Sequence, residues 1–249
     1  MNSAHTIKFL KFPFRFEVEK LQAEVTGILQ KSWIPHFNQD GYSGEWKSLA
    51  LYSADGREEN IFAHNETKLI PTGLLKNGSY LGEVIHHFEC PITSARLLRL
   101  GQQACIKPHK DYNLGYENGT FRIHVPIFTN PYVRFVLDGT VLEMQEGQCW
   151  YTNVNYLHSV SNEGMSDRIH LVIDYQRNDW SDRLFFSLAP RERLFPNEGN
   201  QYSAETVARI IDELKLIDSE GARTAILELE NSLARLKTAP DDSENPVIK

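Results

Sequence analysis

Between Ile92 and Tyr175 the chain reads as a succession of short strands, and nothing else in it limits the fold as tightly. The segments SARLLRLGQQACIKPH, FRIHVPIFT, YVRFVL, TVLEMQ, GQCWYTN and DRIHLVIDY are rich in β-branched and aromatic residues, with NPY, LDGT and QEGQ as turn-forming punctuation between them. Strands this closely spaced are joined as antiparallel hairpins, because a parallel neighbour needs a crossover of roughly a dozen residues or more. The pattern predicts a mainly β jelly-roll-type double sheet rather than a parallel α/β sheet.

The period of two along these strands also sorts their side chains. In FRIHVPI, Arg122 and His124 share one face, while Ile123, Val125 and Ile127 share the other. In DRIHLVID, Arg168 and His170 share a face opposite Ile169, Leu171 and Ile173. A dry core strand does not tolerate that much unpaired charge. The two strands are therefore expected to flank a polar, partly hydrated pocket between the sheets. His170 is expected either to orient a neighbour or to sit in the core as a satisfied histidine. For Arg168 the competing expectation is an ion pair with Asp167 or Asp174.

Outside the strands, residues 7–15 predict a short strand or extended entry, and apolar residues from Phe16 to Gln30 recur at helical spacing. A turn-rich stretch from Ser32 to Gly56 contains a strand at Ser48–Tyr52 and carries His36, Tyr42 and Trp46, candidates for the pocket entrance. Leu81 to Phe88 reads as a second helix. Beyond Asp179, Ser203 is placed to cap a helix running to about Leu216, and Ala222 to Leu236 forms a second amphipathic helix. The expected organisation is a double-stranded β-sheet domain over 1–199 with N-terminal helical support, a helical hairpin over 200–237 suited to capping the sandwich or to homodimer formation, and a disordered polar tail over 238–249.

Composition narrows the class. With 249 residues, 41% of them hydrophobic, the chain can bury a full core. A net charge of −7, with no dense Lys/Arg block, argues against nucleic acid and anionic membranes as partners. The start, MNSAHTIKFLKF, shows no signal peptide, and no transmembrane run is visible. Cys90, Cys105 and Cys149 are widely spaced, as expected of reduced thiols in a cytoplasmic protein.

The chemistry-bearing residues are His109, Asp111 and His158. Two imidazoles and one carboxylate on one face of a metal leave positions open opposite, which is the donor set of non-haem Fe(II) oxygenases. His109 and Asp111 lie two apart at an extended strand end stiffened by Pro108, so both can project to the same side. His158 comes from another strand. Arg168, of matching parity, can grip a dicarboxylate co-substrate through a forked, charge-assisted pair, which points to 2-oxoglutarate.

At these residues the chain resembles the aspartyl/asparaginyl β-hydroxylase family, in HKD, RIHVPIFTNPYVRFVLDG, MQEGQCWYTNVNYLHSVSNEG and RIHLVID. It is similar also to the bacterial proline hydroxylases of the same superfamily. The resemblance implies a double-stranded β-helix that uses Fe(II) and 2-oxoglutarate. It implies His109, Asp111 and His158 as metal ligands, Arg168 on the distal carboxylate of 2-oxoglutarate, and Arg122 and His124 lining the co-substrate pocket. Animal members that hydroxylate Asp and Asn in epidermal-growth-factor domains lack the ligand carboxylate that Asp111 supplies here, and carry a repeat-rich region absent from this chain. That departure shifts the expected substrate toward a free amino acid, a carrier-bound one or a short peptide. The expected function is hydroxylation of a C–H bond with release of succinate and CO2. A non-catalytic cupin-like protein that binds a small acid, and a metal-dependent hydrolase or isomerase, are the competing classes.

Overall fold

The computed structural model describes residues 6–62, 68–195 and 204–216, with positions 223, 225–227, 229, 230 and 233. The chain divides into two units, residues 1–195 and 196–249. The first unit begins with β1 (Phe9–Arg15), α1 (Val18–Thr26), β2 (Ile34–Pro35), β3 (Tyr42–Ser43), β4 (Trp46–Ser53), β5 (Ile70–Pro71) and α2 (Tyr80–His86). Then follow β6 (Ile92–Leu100), β7 (Ala104–His109), β8 (Thr120–Phe128), β9 (Val133–Leu137), β10 (Thr140–Leu142), β11 (Gln148–Thr152), β12 (His158–Asn162) and β13 (Arg168–Gln176). Two helices, α3 (Asp179–Leu188) and α4 (Arg191–Leu194), close it.

The strands form two antiparallel sheets, as the hairpin spacing predicts. The major sheet runs β1-β11-β8-β13-β6-β4-β2, with β5 beside β4, and the minor sheet runs β10-β9-β12-β7-β3. This is the double-stranded β-helix expected from the sequence. The stretch SARLLRLGQQACIKPH, read as one segment, is two strands in different sheets. The chain turns at Gly101–Gln103, where Gln103 takes a positive φ of 55°. Asn162 fastens this corner, its Nδ2 donating to the carbonyls of Leu100 at 3.2 Å and Gly101 at 2.9 Å.

Alternation places an apolar layer on each side of the major sheet. Ile123, Val125, Ile127, Ile169, Leu171, Ile173, Leu97 and Leu49 point to one cluster, shared with Leu21 and Val25 of α1, Leu81, Val84 and Ile85 of α2, and Phe185 of α3. The opposite faces carry Trp46, Leu100 and Trp150 toward Ile106, Phe135, Leu137 and Val160 of the minor sheet. Phe121 and Phe128 belong to the helical side, and Trp150 and Phe135 to the layer between the sheets. Each large apolar side chain so buried contributes roughly 1.5–3 kcal/mol.

The helices differ in detail from expectation. α1 starts at Val18 because the preceding Phe16 is held by the sheet side, its N–H donating to Gly147 O at 2.8 Å. α2 has Ser79 as N-cap, but much of its N-terminus is satisfied by Glu24 of α1, whose carboxylate accepts from the backbone of Tyr80 and Leu81 at 2.5 and 3.0 Å. α3 was not foreseen. Its signal is local: Asn178 and Ser181 form a reciprocal capping box, followed by Asp179 and Asp182 in the first turn. In the second unit α5 spans Ala204–Leu214, and the described positions from 223 to 233 are helical, within the expected 222–236. Ser203 and the tail 238–249 lie outside the described residues. The three cysteines are free thiols, and no helix among the described residues is long and apolar enough to cross a membrane.

Phe185 stacks on Tyr116 at 3.9 Å and lies edge-on to Phe12, Phe121 and Tyr151, so it locks α3 to the sheet. Phe185→Ala should destabilise the fold by about 3–5 kcal/mol in denaturant unfolding. Met165→Ala, at an 80% exposed position, should change it by less than about 0.5 kcal/mol.

Candidate metal and co-substrate site

His109 ends β7 and His158 begins β12, and the register of that strand pair sets their Cα atoms opposite each other. Their ring centroids are 4.2 Å apart. Asp111 lies just past the strand end, fixed by its own N–H, which donates to Val154 O at 2.9 Å. One donor atom from each of the three comes within 4.8 Å of the others. Three residues spread over the chain thus converge because two strands pair and one loop is pinned.

The hydrogen bonds around the imidazoles fix which nitrogen faces the cluster. Nδ1 of His109 lies 2.8 Å from Lys107 O, and Nδ1 of His158 lies 3.0 Å from Tyr156 O. A carbonyl accepts only, so each Nδ1 carries the proton and each Nε2 keeps a lone pair for a metal. Burial lowers the His158 pKa to about 4, which keeps the ring neutral. Burial works to raise the Asp111 carboxyl, but Arg122 and the two histidines outweigh it, and the group lies below its ordinary value. Two imidazoles and an ionised carboxylate, their donor atoms clustered, fit a divalent cation. The set is of the two-His, one-carboxylate type.

Between the sheets a second group of residues adjoins this cluster. Phe135 stacks parallel to His158 at 6.2 Å and meets the His124 ring edge-on at 5.4 Å. His124 lies beside His170, and Arg168 donates through Nη2 to His170 Nδ1 at 2.7 Å. Arg168 is 2% exposed and pairs with no carboxylate among the described residues, and burial pulls its pKa down to about 9. Asp167 and Asp174, the partners considered from sequence, are taken by Arg99 and by Arg122 with Arg96. Both ring nitrogens of His124, Nε2 of His170 and Nε of Arg168 are buried without a hydrogen-bond partner among the described residues. Burial holds both imidazoles neutral. A buried cation flanked by unfilled polar atoms is a receptor for an anion.

Arg122 is differently employed. Its Nε and Nη2 donate to Asp174 at 2.7 and 3.0 Å, and its Nη1 donates to Asp111 at 2.6 Å. The family resemblance implies Arg122 beside His124 in the co-substrate pocket; in the structure its donors rest on carboxylates of the chain. Arg96 and Asp174 went unread as site residues. Their signal is inward parity: Arg96 lies on the face of β6 opposite Leu97, and Asp174 shares the face of β13 that carries Arg168 and His170, opposite Ile173.

An open cavity of about 800 Å³ lies against the cluster, lined by His109, Asp111, Arg122 and Arg96 and walled by His36, Trp46, Phe37, Phe62 and Tyr112. His36 stacks on Trp46 at 3.5 Å with an interplanar angle of 10°. Tyr42 supports Trp46 edge-on from behind and does not line the cavity.

A family model described as aspartyl/asparaginyl beta-hydroxylase matches residues 15–178. L-proline cis-4-hydroxylase of Rhizobium meliloti (strain 1021) is 28% identical over 177 residues, covering 70% of this chain and 61% of that protein. L-proline cis-3-hydroxylase 1 of a Streptomyces species is 30% identical over 139 residues, covering 53% and 47%. The chain thus spans about three fifths and about half of these two relatives. Among solved structures, an oxidoreductase of the 2OG-Fe(II) oxygenase family from Burkholderia pseudomallei aligns with a TM-score of 0.48 at 14% identity, over 69% of this chain and 86% of that one.

If the three donors act as one metal site, Co(II) added to metal-free protein should give a visible absorption band at one equivalent. His158→Ala should weaken that binding by more than the about 10–100-fold typical of losing a group that only orients a ligand.

Proposed function

The chain belongs to the aspartyl/asparaginyl β-hydroxylase family, and on that premise we propose that it is an Fe(II)- and 2-oxoglutarate-dependent dioxygenase that hydroxylates a C–H bond of an amino acid or peptidyl residue, Asp/Asn-type or Pro-type. The observation that carries this reading is the clustering of His109, Asp111 and His158 donors within 4.8 Å beside the cavity. Iron with 2-oxoglutarate supplies the activation of O2, one oxygen atom entering succinate as CO2 leaves and the other entering the substrate as hydroxyl.

The residues of the chain do the rest. His109, Asp111 and His158 hold the metal on one face and leave the opposite positions for ligands. Arg168 receives the distal carboxylate of 2-oxoglutarate, and this anion neutralises a guanidinium that is otherwise buried without a counter-charge. His124 and His170, neutral and with unfilled nitrogens, complete the polar lining on that side. The aromatic walls at His36, Trp46, Phe37 and Phe62 offer an apolar face to the substrate side and orient the C–H bond to be attacked. A cavity of this size fits a free, carrier-bound or peptidyl amino acid better than a large folded protein. The free thiols suit a cytoplasmic protein. For a macromolecular partner the proposal is a second copy of the chain, joined through the C-terminal helices; Val207 and Ile211 on the apolar stripe of α5 are already buried within one copy.

The test is anaerobic addition of Fe(II) and then 2-oxoglutarate, reading the weak visible metal-to-ligand charge-transfer band of the chelated keto acid. The band should form with wild type and be absent in His158→Ala. In Arg168→Ala it should need about 10- to 100-fold more 2-oxoglutarate, the equivalent of a lost charge-assisted hydrogen bond. Iron binding without a band would remove the oxygenase reading in favour of hydrolytic chemistry. Unchanged keto-acid saturation in Arg168→Ala would remove the assignment of that residue.

A further inference from the structure

Asp174 is fully buried in the middle of β13, directly across the strand pair from Arg122 of β8. Its Oδ1 accepts from Arg122 Nε at 2.7 Å, and its Oδ2 accepts from Arg122 Nη2 at 3.0 Å and from Arg96 Nη2 at 3.3 Å. Arg96 also donates from Nη1 to Ile61 O at 3.1 Å. Two guanidiniums thus close on one carboxylate, and the remaining terminal nitrogen of Arg122, Nη1, carries Asp111 through Oδ2 at 2.6 Å. The other oxygen of Asp111, Oδ1, faces His109 Nε2 at 3.8 Å.

A guanidinium is planar and its donors are fixed in direction. Once Asp174 holds the Nε/Nη2 edge, the direction of Nη1 is no longer free. Asp111 is then gripped by one oxygen only, and the second is presented toward the two imidazoles. Without Asp174 the fork could turn its two-nitrogen edge onto Asp111 and occupy both oxygens, which would withdraw the carboxylate from the metal. The charges also balance, two guanidiniums against two carboxylates, which is what permits so polar a knot in the sheet interior.

We propose that Asp174 is a positioning residue for the metal site: it aims Arg122 so that Asp111 is presented as a one-oxygen ligand, and Arg122 serves the metal carboxylate rather than the co-substrate. This rests on the metal reading of His109, Asp111 and His158. Groups that orient a metal ligand from behind typically cost about 10–100-fold in metal affinity when removed.

The test is the Co(II) affinity of metal-free protein, read by visible absorption, together with the 2-oxoglutarate KM at saturating Fe(II). Asp174→Asn should weaken Co(II) binding about 10- to 100-fold while leaving the 2-oxoglutarate KM within about twofold. Arg122→Lys keeps the charge but cannot bridge two carboxylates with one rigid fork, and it should show the same split. The double variant should lose no more than the worse single one, because the two act in series. If Asp174→Asn does not fold, Arg122→Lys decides alone. Wild-type Co(II) affinity in the folded variants, or a shift in the 2-oxoglutarate KM in place of metal affinity, overturns the proposal. Failure of wild type itself to bind Co(II) overturns the metal reading beneath it, a separate outcome.

Discussion

The structure depends on strict alternation along β8 and β13, the two strands at the centre of the major sheet. Both are buried on both faces, so each odd residue from Phe121 to Ile127 and from Ile169 to Tyr175 must be apolar to cover α1, α2 and α3. The even positions are thereby committed to the space between the sheets, and there the chain places Arg122, His124, Arg168, His170 and Asp174. A slip of one residue in either register would drive these groups into the helical core and expose the isoleucines to the polar side. The polar site and the apolar core are therefore specified by the same pattern.

Inside that space two arginines of the same parity meet different electrostatic fates. Arg122 is matched by Asp174 and Asp111, and its guanidinium is held charged despite burial. Arg168 has only the neutral His170 beside it, and burial lowers its pKa to about 9. Taking an ion out of water costs several kcal/mol unless a counter-charge is met. A fold that solved this problem for Arg122, Arg96 and Arg99 with Asp174, Asp111 and Asp167 did not solve it for Arg168. On the proposed reading, the missing anion is the distal carboxylate of the co-substrate, and the unfilled nitrogens of His124 and His170 are its surroundings.

Much of this was legible in the sequence, and the limits have physical causes. Strand parity is a local property, so the facing of Arg122, His124, Arg168 and His170 could be read directly. Hairpin spacing likewise indicated two antiparallel sheets. The pairing of His109 with His158 is a matter of register between strands distant in sequence, and the spacing alone does not encode it. Partner choice was less legible still: Asp174 was considered for Arg168 because both lie in one strand, yet the residue directly across the sheet, Arg122, holds it. α3 is announced by polar residues, the capping box of Asn178 and Ser181, and apolar periodicity alone does not show where it starts. The turn at Gly101–Gln103 was missed for the opposite reason, the apolar and polar residues on either side continuing a strand-like pattern straight through it.

The two sheets contribute unlike halves to the site. His109 and His158 come from the minor sheet, and Asp111 from the loop that continues it, while Arg168, His170 and His124 come from the major sheet. Phe135, with His158 on one side and His124 on the other, is the side chain through which the halves touch. A molecule with a keto-acid end for the metal and a carboxylate end for Arg168 would therefore span the gap between the sheets. It would supply there the polar contacts that the chain leaves unmade. Arg122 provides a polar link between the sheets, running from Asp174 in β13 to Asp111 beyond β7, and it is made by protein groups alone. The protein link fixes where the Asp111 carboxylate stands before any ligand arrives. The co-substrate link depends on the chemistry of what binds, because an uncompensated guanidinium rewards an anion and a neutral molecule of the same shape would leave its charge buried and unmatched.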